Sequence, residues 1–194
     1  QQVPELIGKK SYDKFIPEIY FKAPLEDRIN LLRGLFDTDG WAEKKGAVRF
    51  SSASYKLAAD VQSLIRSIGG LCSISIKKGA YVKNGIRVET AQQFVCKIRH
   101  KHAEQLFLLD RKKELARRAK NTSIRLNIKK IEKLQTEDCC CISVSHKAGL
   151  YITNDYIVTH NSAVAGNIAA TVAAGGNTVL LFSLEMHADS VMTR

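Results

Sequence analysis

The spacing of apolar residues predicts three helices in the first two-thirds of the chain. In the first helix, Ile29, Leu32 and Phe36 share a face, and acidic residues stand at the start, where the helix dipole favours them. The second begins at Ser54, a residue type that often caps helices, and stops at a Gly-Gly pair. The third is rich in basic residues. The helices are predicted at residues 26–36, 54–68 and 106–119.

Alternating or short apolar runs predict strands between these helices. The strands are predicted at Trp41 and at residues 46–51, 71–78 and 86–98. Arg87, Lys97 and Arg99 stand at alternating positions of the last strand and its end, so we expect them to share one basic face. The predicted order is helix–strand–strand–helix–strand–strand–helix.

The last third of the chain has a different pattern, which is β-like up to residue 161 and then changes. Candidate strands lie at residues 140–145, 150–153 and 156–159. A helix of small residues is predicted from Ser162 to Ala170, and Gly175-Gly176 break it. A buried strand is expected at residues 178–186. The chain is therefore predicted to be of the α+β class, with more than one domain.

Positive charge is concentrated in the first 135 residues. The whole chain has a net charge of +11, residues 1–135 have +14, and residues 136–194 have −3. A field of this size attracts polyanions, and nucleic acid is the usual one. The alternative is a Lys-rich surface that serves only solubility.

Composition narrows the cellular context. Five cysteines, an odd number with three of them adjacent, do not suggest a disulfide framework, so we expect a reducing cytoplasm. No run is long enough to span a membrane and no secretory signal is present, so we expect no membrane partner. Because the chain opens on Gln1 rather than Met, we expect it to be a piece of a longer protein.

The stretch Thr159-His160-Asn161-Ser162 carries unusual chemistry. An Asn amide can attack its own backbone carbonyl, close a succinimide and break the following peptide bond. A neighbouring His can protonate the leaving amine, and a Ser hydroxyl can act as the nucleophile in acyl transfer. The order His160-Asn161-Ser162 therefore favours a cleavage and ligation junction. A surface turn is the alternative, because Asn and Ser are common turn residues.

From Cys140 to Ser162 the chain resembles the C-terminal splicing region of an intein. The resemblance rests on Cys140-Cys141-Ile142-Ser143-Val144 and on Tyr156-Ile157-Val158-Thr159-His160-Asn161. It implies that Asn161 cyclises, that His160 assists, and that Ser162 is the first residue of the C-terminal extein. It also implies a Hint splicing fold whose partners are the N-terminal intein half and the N-extein of the same precursor, with no cofactor for splicing.

Cys141 stands where most inteins carry an Asp. A smaller intein class uses a Cys at this position as its nucleophile and has a Thr just before the terminal His, where Thr159 stands. The resemblance thus implies that Cys141 attacks the upstream junction. Alternatives stay open: residues 139–141 are packing residues or a redox-sensitive cluster, a register slip of one favours Cys140, or the nucleophile is the first residue of the intein.

After the junction, residues 162–170 and 178–186 are similar to the segment that follows the phosphate-binding loop of a DnaB-type replicative helicase with a RecA-like core. That loop ends in Gly-Lys-Ser/Thr, whose hydroxyl binds the Mg²⁺ of Mg-ATP. The resemblance implies that the intein interrupts the loop just before Ser162. It further implies that Glu185 is the catalytic Glu that activates water, and that the spliced helicase forms a homo-hexamer.

Leu32-Arg33-Gly34-Leu35-Phe36-Asp37-Thr38-Asp39-Gly40 resembles the LAGLIDADG motif of homing endonucleases. In that family two such helices pack together, and their acidic ends hold divalent metal above DNA. The resemblance implies that Asp39 is a Mg²⁺ ligand and that Asp37 is the weaker candidate. Lys14, in Lys14-Phe15-Ile16-Pro17-Glu18, matches a linker Lys that assists catalysis. The alternative for the two aspartates is an ordinary helix stop, and the alternative for Lys14 is an exposed cation.

These observations predict three regions. Residues 1–125 are expected to form the C-terminal LAGLIDADG repeat, residues 126–161 the C-terminal Hint region, and residues 162–194 a helicase fragment. The predicted functions are autocatalytic protein splicing and metal-dependent, site-specific DNA cleavage. The alternative is a DNA-binding domain fused to a helicase fragment, with both chemistries inactive.

Overall fold

A computed structural model describes residues 4–83, 86–119, 123–125, 130, 132, 135, 144–145, 149–159 and 161–180. The chain divides into two compact units, Gln1–Ile128 and Lys129–Arg194. Within the described residues, every helix is too short or too polar to cross a lipid bilayer.

The first unit builds a four-stranded antiparallel sheet from two hairpins. Its elements are α1 (Leu25–Asp39), β1 (Gly40–Ala42), β2 (Val48–Ser52), α2 (Tyr55–Ser67), β3 (Leu71–Lys83), β4 (Ile86–Arg99) and α3 (Asp110–Ala116). The spatial order is β1-β2-β4-β3. Short 3₁₀ turns at Pro4–Leu6, Glu18–Phe21 and Ala103–Leu106 complete the unit.

One face of this sheet is covered by the helices and the other is open. Alternate residues of β2 and β4 pair on the covered face, as in Phe50 opposite Cys96 and Val48 opposite Ile98. They pack with Leu32 and Phe36 of α1 and with the apolar stripe of α2 in one core. Two cysteines in this core, Cys72 and Cys96, are free thiols. The residues between the core positions point to the open face.

Helix α2 begins and ends as the sequence predicts. The Ser54 side chain accepts a hydrogen bond from the Leu57 amide at 3.1 Å, which caps the N-terminus. Gly69 adopts a positive φ of 82° just after the helix. Between these ends, Val61, Leu64 and other apolar residues at helical spacing are fully buried. Local capping and periodicity therefore suffice to define this element.

Helix α1 is longer than predicted, because it continues through Asp39 instead of stopping at Phe36. Gly40 then turns the chain sharply into β1. A Cβ at Gly40 would lie 2.7 Å from the Phe36 carbonyl oxygen, so only glycine fits this approach. The short strand predicted at Trp41 is confirmed as the second residue of β1. Asp37 and Asp39 thus belong to the last turn of the helix.

Two other predictions need correction. The basic helix predicted at 106–119 is a 3₁₀ turn, Ala103–Leu106, followed by the shorter α3. The strand predicted at 46–51 begins two residues later, because Gly46 has a φ of 90° and belongs to a turn. The register of β3 and β4 shifts between Lys78 and Ala80. The side chain of Arg87 lies outside the part of the chain whose side chains the structure describes, so its place on the basic face stays a prediction.

The second unit contains a short hairpin and a helix. Strand β5 (Tyr151–Ile152) pairs with β6 (Val158–Thr159), with Tyr151 opposite Thr159. The turn between them includes the 3₁₀ segment Asn154–Tyr156. Helix α4 (Asn161–Ala174) follows, beginning one residue before the predicted start, and Gly176 with a φ of 83° lies just beyond its end. The described part of the strand predicted at 178–186, residues 178–180, is not a strand.

Candidate functional site

The C-terminal tip of α1 is held by a side chain from within its own last turn. The Asp37 carboxylate accepts hydrogen bonds from the backbone amides of Leu108, at 3.0 and 3.2 Å, and Leu109, at 3.4 Å. These amides belong to the stretch that was expected to be helical, and their bond to a carboxylate 71 and 72 residues away explains why α3 starts late. Asp37 therefore serves as a link between α1 and the loop before α3.

A buried lysine makes a second link, from α3 back to the C-terminal end of α1. Lys112 of α3 is 9% exposed, and its ammonium donates to the carbonyls of Phe36 at 3.0 Å, Asp37 at 2.9 Å and Gly40. Carbonyls at a helix C-terminus carry negative partial charge and lack intrahelical donors, so a cation there is favourable. Burial lowers the pKa of Lys112, while the charges of Asp37 and Asp39 oppose that shift. We call this pair of links, Asp37 and Lys112, the tip latch.

Asp39 differs from Asp37 although only one residue separates them. Its side chain is exposed, and among the described residues no hydrogen bond or ion pair reaches its carboxylate. Two acidic residues in the last turn oppose the helix dipole, and Lys112 offsets that cost. The carboxylate oxygens of Asp39 are hard donors of the kind that Mg²⁺ prefers. Within the described residues, no three His, Cys, Asp or Glu side chains are grouped to hold a metal by themselves.

Lys14 lies in an N-terminal arm that is tied to α2. Its backbone carbonyl accepts a hydrogen bond from the Ser54 hydroxyl at 2.6 Å, while the same hydroxyl caps α2. Two residues further, the Ile16 amide donates to the buried carboxylate of Asp60 at 2.9 Å. Lys56 pairs with the other oxygen of that carboxylate. The arm therefore has a fixed path, with the Lys14 side chain exposed.

The sheet register brings Lys14 and Asp39 to the same end of the unit. Gly40, next to Asp39, pairs with Phe50, and β2 then runs only two residues further before reaching Ser54. Since Ser54 holds the Lys14 carbonyl, both predicted residues flank this end of the β1–β2 hairpin. Lys14 also lines an apolar cavity of about 280 Å³ between the arm and α1.

The open sheet face is basic and polar. Arg49 lies opposite Lys97, and Lys97 lies opposite Ser73. Lys97, Ser73 and Arg99 are exposed, whereas Arg49 is half-buried beside Glu43. The predicted alternation of Lys97 with Arg99 is thus present. Phosphate contacts need cations and short polar groups that are accessible at the surface, and this face provides both.

The predicted splicing residues fall partly within the described second unit. The Asn161–Ser162 peptide bond lies in the first turn of α4. Amides of a first helical turn have no intrahelical acceptor, so the Ser162 nitrogen is outside the helical hydrogen-bond ladder. Thr159 ends the hairpin two residues earlier. His160, Cys141 and Glu185 lie outside the described residues, as does the pairing expected for the strand of Cys141.

Sequence reasoning missed Lys112 and Asp60, the two buried charged residues that hold the site in place. Their partners lie 72–76 and 44 residues away along the chain. A signal for Lys112 was nevertheless present, because Leu109, Lys112 and Ala116 follow helical spacing and place a lysine on an apolar stripe. A cation at such a position requires acceptors nearby.

Comparison with known proteins shows a LAGLIDADG-like domain in the first unit, matched by residues 26–101. This segment runs from α1 to just past β4, and it includes Asp37, Asp39 and the open sheet face.

Three relatives extend this picture. Replicative DNA helicase DnaB of Mycobacterium intracellulare is 29% identical over 188 residues, covering 94% of this chain and 32% of that protein. DnaB of Nostoc sp. (strain PCC 7120) is 36% identical over 70 residues, which is 33% of this chain and 8% of that protein. Protein RecA of Mycobacterium tuberculosis (strain H37Rv) is 31% identical over 98 residues, covering 45% of this chain and 12% of that protein. The chain thus spans about a third of the first relative and far less of the other two.

Proposed function

We propose that this chain is the C-terminal part of an intein that carries a LAGLIDADG homing endonuclease and interrupts a DnaB-type replicative helicase. The observation that carries the proposal is the match to one DnaB protein over 94% of the chain. So long a match includes most of the LAGLIDADG-like region and most of residues 162–194. Similar sequence for both parts therefore occurs within a single helicase.

The match to RecA supports an inserted element. It extends over 98 residues, about three times the length of residues 162–194, so most of it lies before the predicted junction. Sequence similar to part of the chain before residue 162 is thus found in two proteins with different names. An element that occupies different hosts is expected to produce this distribution.

In the proposed splicing reaction, the Asn161 side-chain amide attacks its own carbonyl carbon and expels the Ser162 amine. His160 protonates that amine, and the freed amine attacks the ester at the Ser162 hydroxyl to complete a peptide bond. Cys141 is proposed as the first nucleophile, in keeping with Thr159 just before His160. Its thiol attacks the carbonyl carbon at the upstream junction, expels the amine of the intein's first residue and holds the upstream chain as a thioester; the Ser162 hydroxyl then takes over that chain as an ester and releases the Cys141 thiol. Residues 126–161 supply the C-terminal Hint strands, and the N-terminal intein half supplies the others.

The splicing proposal is tested in the complete precursor. Asn161→Ala should stop release of the Ser162 amine and leave any upstream thioester in place. His160→Ala should slow the same step by about 10²–10⁴-fold, the usual size of general acid–base assistance. Single alanine variants of Cys139, Cys140 and Cys141 identify the nucleophile by loss of the thiol-sensitive branched species. Normal ligated helicase from the Asn161→Ala precursor would exclude the assigned junction.

The second proposed activity is metal-dependent cleavage of duplex DNA. Asp39 is proposed to hold Mg²⁺ together with carboxylates of a second repeat, because its oxygens are exposed while those of Asp37 are engaged by backbone amides. When bound, Mg²⁺ would stabilise negative charge on the attacking and leaving oxygens of the phosphodiester. Asp39 holds the metal, the tip latch fixes the end of α1, and Lys14 offers a cation at the same end of the sheet.

Cleavage is tested with a helicase gene that lacks the intein. The precursor should cut this DNA in Mg²⁺, and Asp39→Asn should abolish cutting while DNA binding persists. Asp37→Asn serves as the matched comparison, since it removes the same charge from the same helical turn. Equal cutting by wild type and Asp39→Asn would reduce Asp39 to a helix-terminating residue and favour a domain that only binds DNA.

After splicing, residues 162–194 are proposed to join the nucleotide site of a cytoplasmic, hexameric helicase. Ser162 would bind the Mg²⁺ of Mg-ATP, and Glu185 would activate the attacking water. The described start of α4 at Asn161 supports a phosphate group of the nucleotide beside Ser162, because helix N-termini favour phosphate groups.

A further inference from the structure

Helix α2 carries a carboxylate on its buried apolar stripe. Asp60 lies between Leu57 and Leu64 at helical spacing, and it is only 4% exposed. An aliphatic side chain at this position would cover the core without the cost of removing a charge from water. A buried carboxylate needs hydrogen-bond donors, so its partners show what Asp60 does in this fold.

The main partner of Asp60 is the N-terminal arm. The Ile16 amide donates to one carboxylate oxygen at 2.9 Å, and the two residues are 44 positions apart along the chain. Lys56 pairs with the other oxygen, but its side chain is 68% exposed, so this ion pair contributes little to stability. The bond to Ile16 is therefore the contact through which Asp60 fixes the path of the arm.

The backbone that follows the Lys14 Cα is held at successive points by α2 and its cap. The Ser54 hydroxyl donates to the Lys14 carbonyl at 2.6 Å, and two residues later the Ile16 amide is bound by Asp60. The Ile16 side chain is itself part of the core. Because these contacts fix the backbone, the exposed ammonium of Lys14 is confined to one side-chain length from a defined point.

We propose that Asp60 is a positioning residue for DNA cleavage, which places the Lys14 ammonium beside the phosphate that is cut by holding the Ile16 amide. The inference rests on the proposed cleavage and on the proposed role of Lys14. A displacement of about 1 Å in a reacting group can lower a rate by about 10²-fold. Affinity for a duplex is spread over many phosphate contacts, so it depends little on the position of one cation.

The experiment measures single-turnover cleavage of the intein-free helicase gene by the complete precursor in Mg²⁺. Asp60→Leu fills the buried site without an acceptor, so it should lower the maximal cleavage rate by up to about 10²-fold and leave DNA affinity unchanged. Asp60→Asn keeps an acceptor oxygen for the Ile16 amide and should retain most of the rate. The matched control, Lys56→Met, removes the ion pair but keeps the bond to Ile16, and it should cut at the wild-type rate.

A double-mutant cycle tests whether Asp60 acts through Lys14. Lys14→Met alone should lower the cleavage rate, and adding Asp60→Leu should cause no further loss, because both changes remove the same interaction. Hydrogen exchange gives a readout that does not depend on cleavage. The Ile16 amide should exchange faster in Asp60→Leu, whereas in Lys56→Met it should exchange as in the wild type.

The outcomes separate the role of Asp60 from the proposed function. Wild-type cleavage by a folded Asp60→Leu precursor, or a further loss of rate in the Lys14→Met background, overturns the inference and leaves cleavage through Asp39 standing. Equal loss in Asp60→Asn and Asp60→Leu also overturns it, because the charge and not the acceptor would then matter. If Asp60→Leu does not fold, Asp60→Glu, which moves the carboxylate by one methylene group, takes its place in the cycle with the same expected result. A wild-type precursor that does not cut DNA overturns the cleavage proposal and this inference together.

Discussion

The carboxylates of Asp37 and Asp39 lie in the same helical turn but have different surroundings. Asp37 accepts three backbone hydrogen bonds, whereas Asp39 is exposed. Hydrogen bonds from backbone amides to a carboxylate stabilise the fold, while an exposed carboxylate without such partners contributes little. The position of an aspartate within the motif therefore does not determine its role. We expect substitutions at the two residues to have different effects on stability.

We expect Asp37→Ala to lower the free energy of unfolding by about 1–3 kcal/mol, because two backbone amides lose their acceptor. Asp39→Ala should change it by no more than about 0.5 kcal/mol. Urea unfolding followed by the fluorescence of Trp41 measures both, since Trp41 is the single tryptophan and belongs to β1, directly after the tip of α1. Equal destabilisation by the two variants would contradict this division.

Lys112 gives unfolding a pH dependence. Burial holds the pKa of Lys112 in the folded chain below the ordinary value of about 10.4. Between the lowered pKa of Lys112 in the folded chain and its ordinary value, the unfolded chain binds a proton that the folded chain has released. The free energy of unfolding therefore rises with pH in that window. The wild-type chain should therefore gain stability relative to Lys112→Met as pH rises towards about 10.4. A constant or falling difference in urea unfolding would refute the assignment.

At the scale of elements, glycines distinguish two kinds of contact surface. At Gly46, a positive φ and the close backbone of Ala119 both exclude a side chain. An added Cβ at Gly34, in contrast, meets nothing within 4 Å. The first glycine is required by packing inside the unit. The second stands on the outer side of α1, where the chain leaves room for another element.

Gly46→Ala should destabilise the first unit by about 1–3 kcal/mol, from backbone strain and from the clash with Ala119. Gly34→Ala is the matched control, and it should stabilise the same unit by about 0.5–1 kcal/mol because alanine favours helix formation. Thermal and urea unfolding of the two variants give the comparison. A stabilising Gly46→Ala would mean that the turn does not dock against α3.

The elements that sequence predicted well are those defined by nearby residues. Ser54, the apolar stripe of α2 and the Gly69 turn lie within one segment, so periodicity and capping were enough. The start of α3 was wrong because the amides of Leu108 and Leu109 bind Asp37, a partner from another element. The register shift between Lys78 and Ala80 is likewise a feature that no local pattern reveals. For the site, Asp39 and Lys14 came from motif resemblance, whereas Lys112 and Asp60 depend on tertiary contacts.

At the scale of the whole molecule, the proposed insertion makes two activities exclusive in time. In the proposed arrangement, the helicase nucleotide site needs the loop lysine and Ser162 in one continuous loop, and the intein separates them until splicing ends. We expect a splicing-dead Asn161→Ala precursor to lack ATP hydrolysis, while the ligated helicase hydrolyses ATP. A coupled assay of phosphate release compares the two proteins at equal concentration. Turnover by the precursor at the rate of the ligated protein would contradict the interruption.

The separate surroundings of Asp37 and Asp39 also bear on how such a chain changes over generations. Under the proposed function a host gains nothing directly from DNA cleavage, so substitutions at Asp39 that spare the fold are invisible to selection on the host. Substitutions at Asp37 or Lys112 are not, because a misfolded insert hinders assembly of the protein around it. Lineages that have lost cleavage should therefore keep the tip latch and vary at Asp39, which makes the pair a record of which activity selection still maintains.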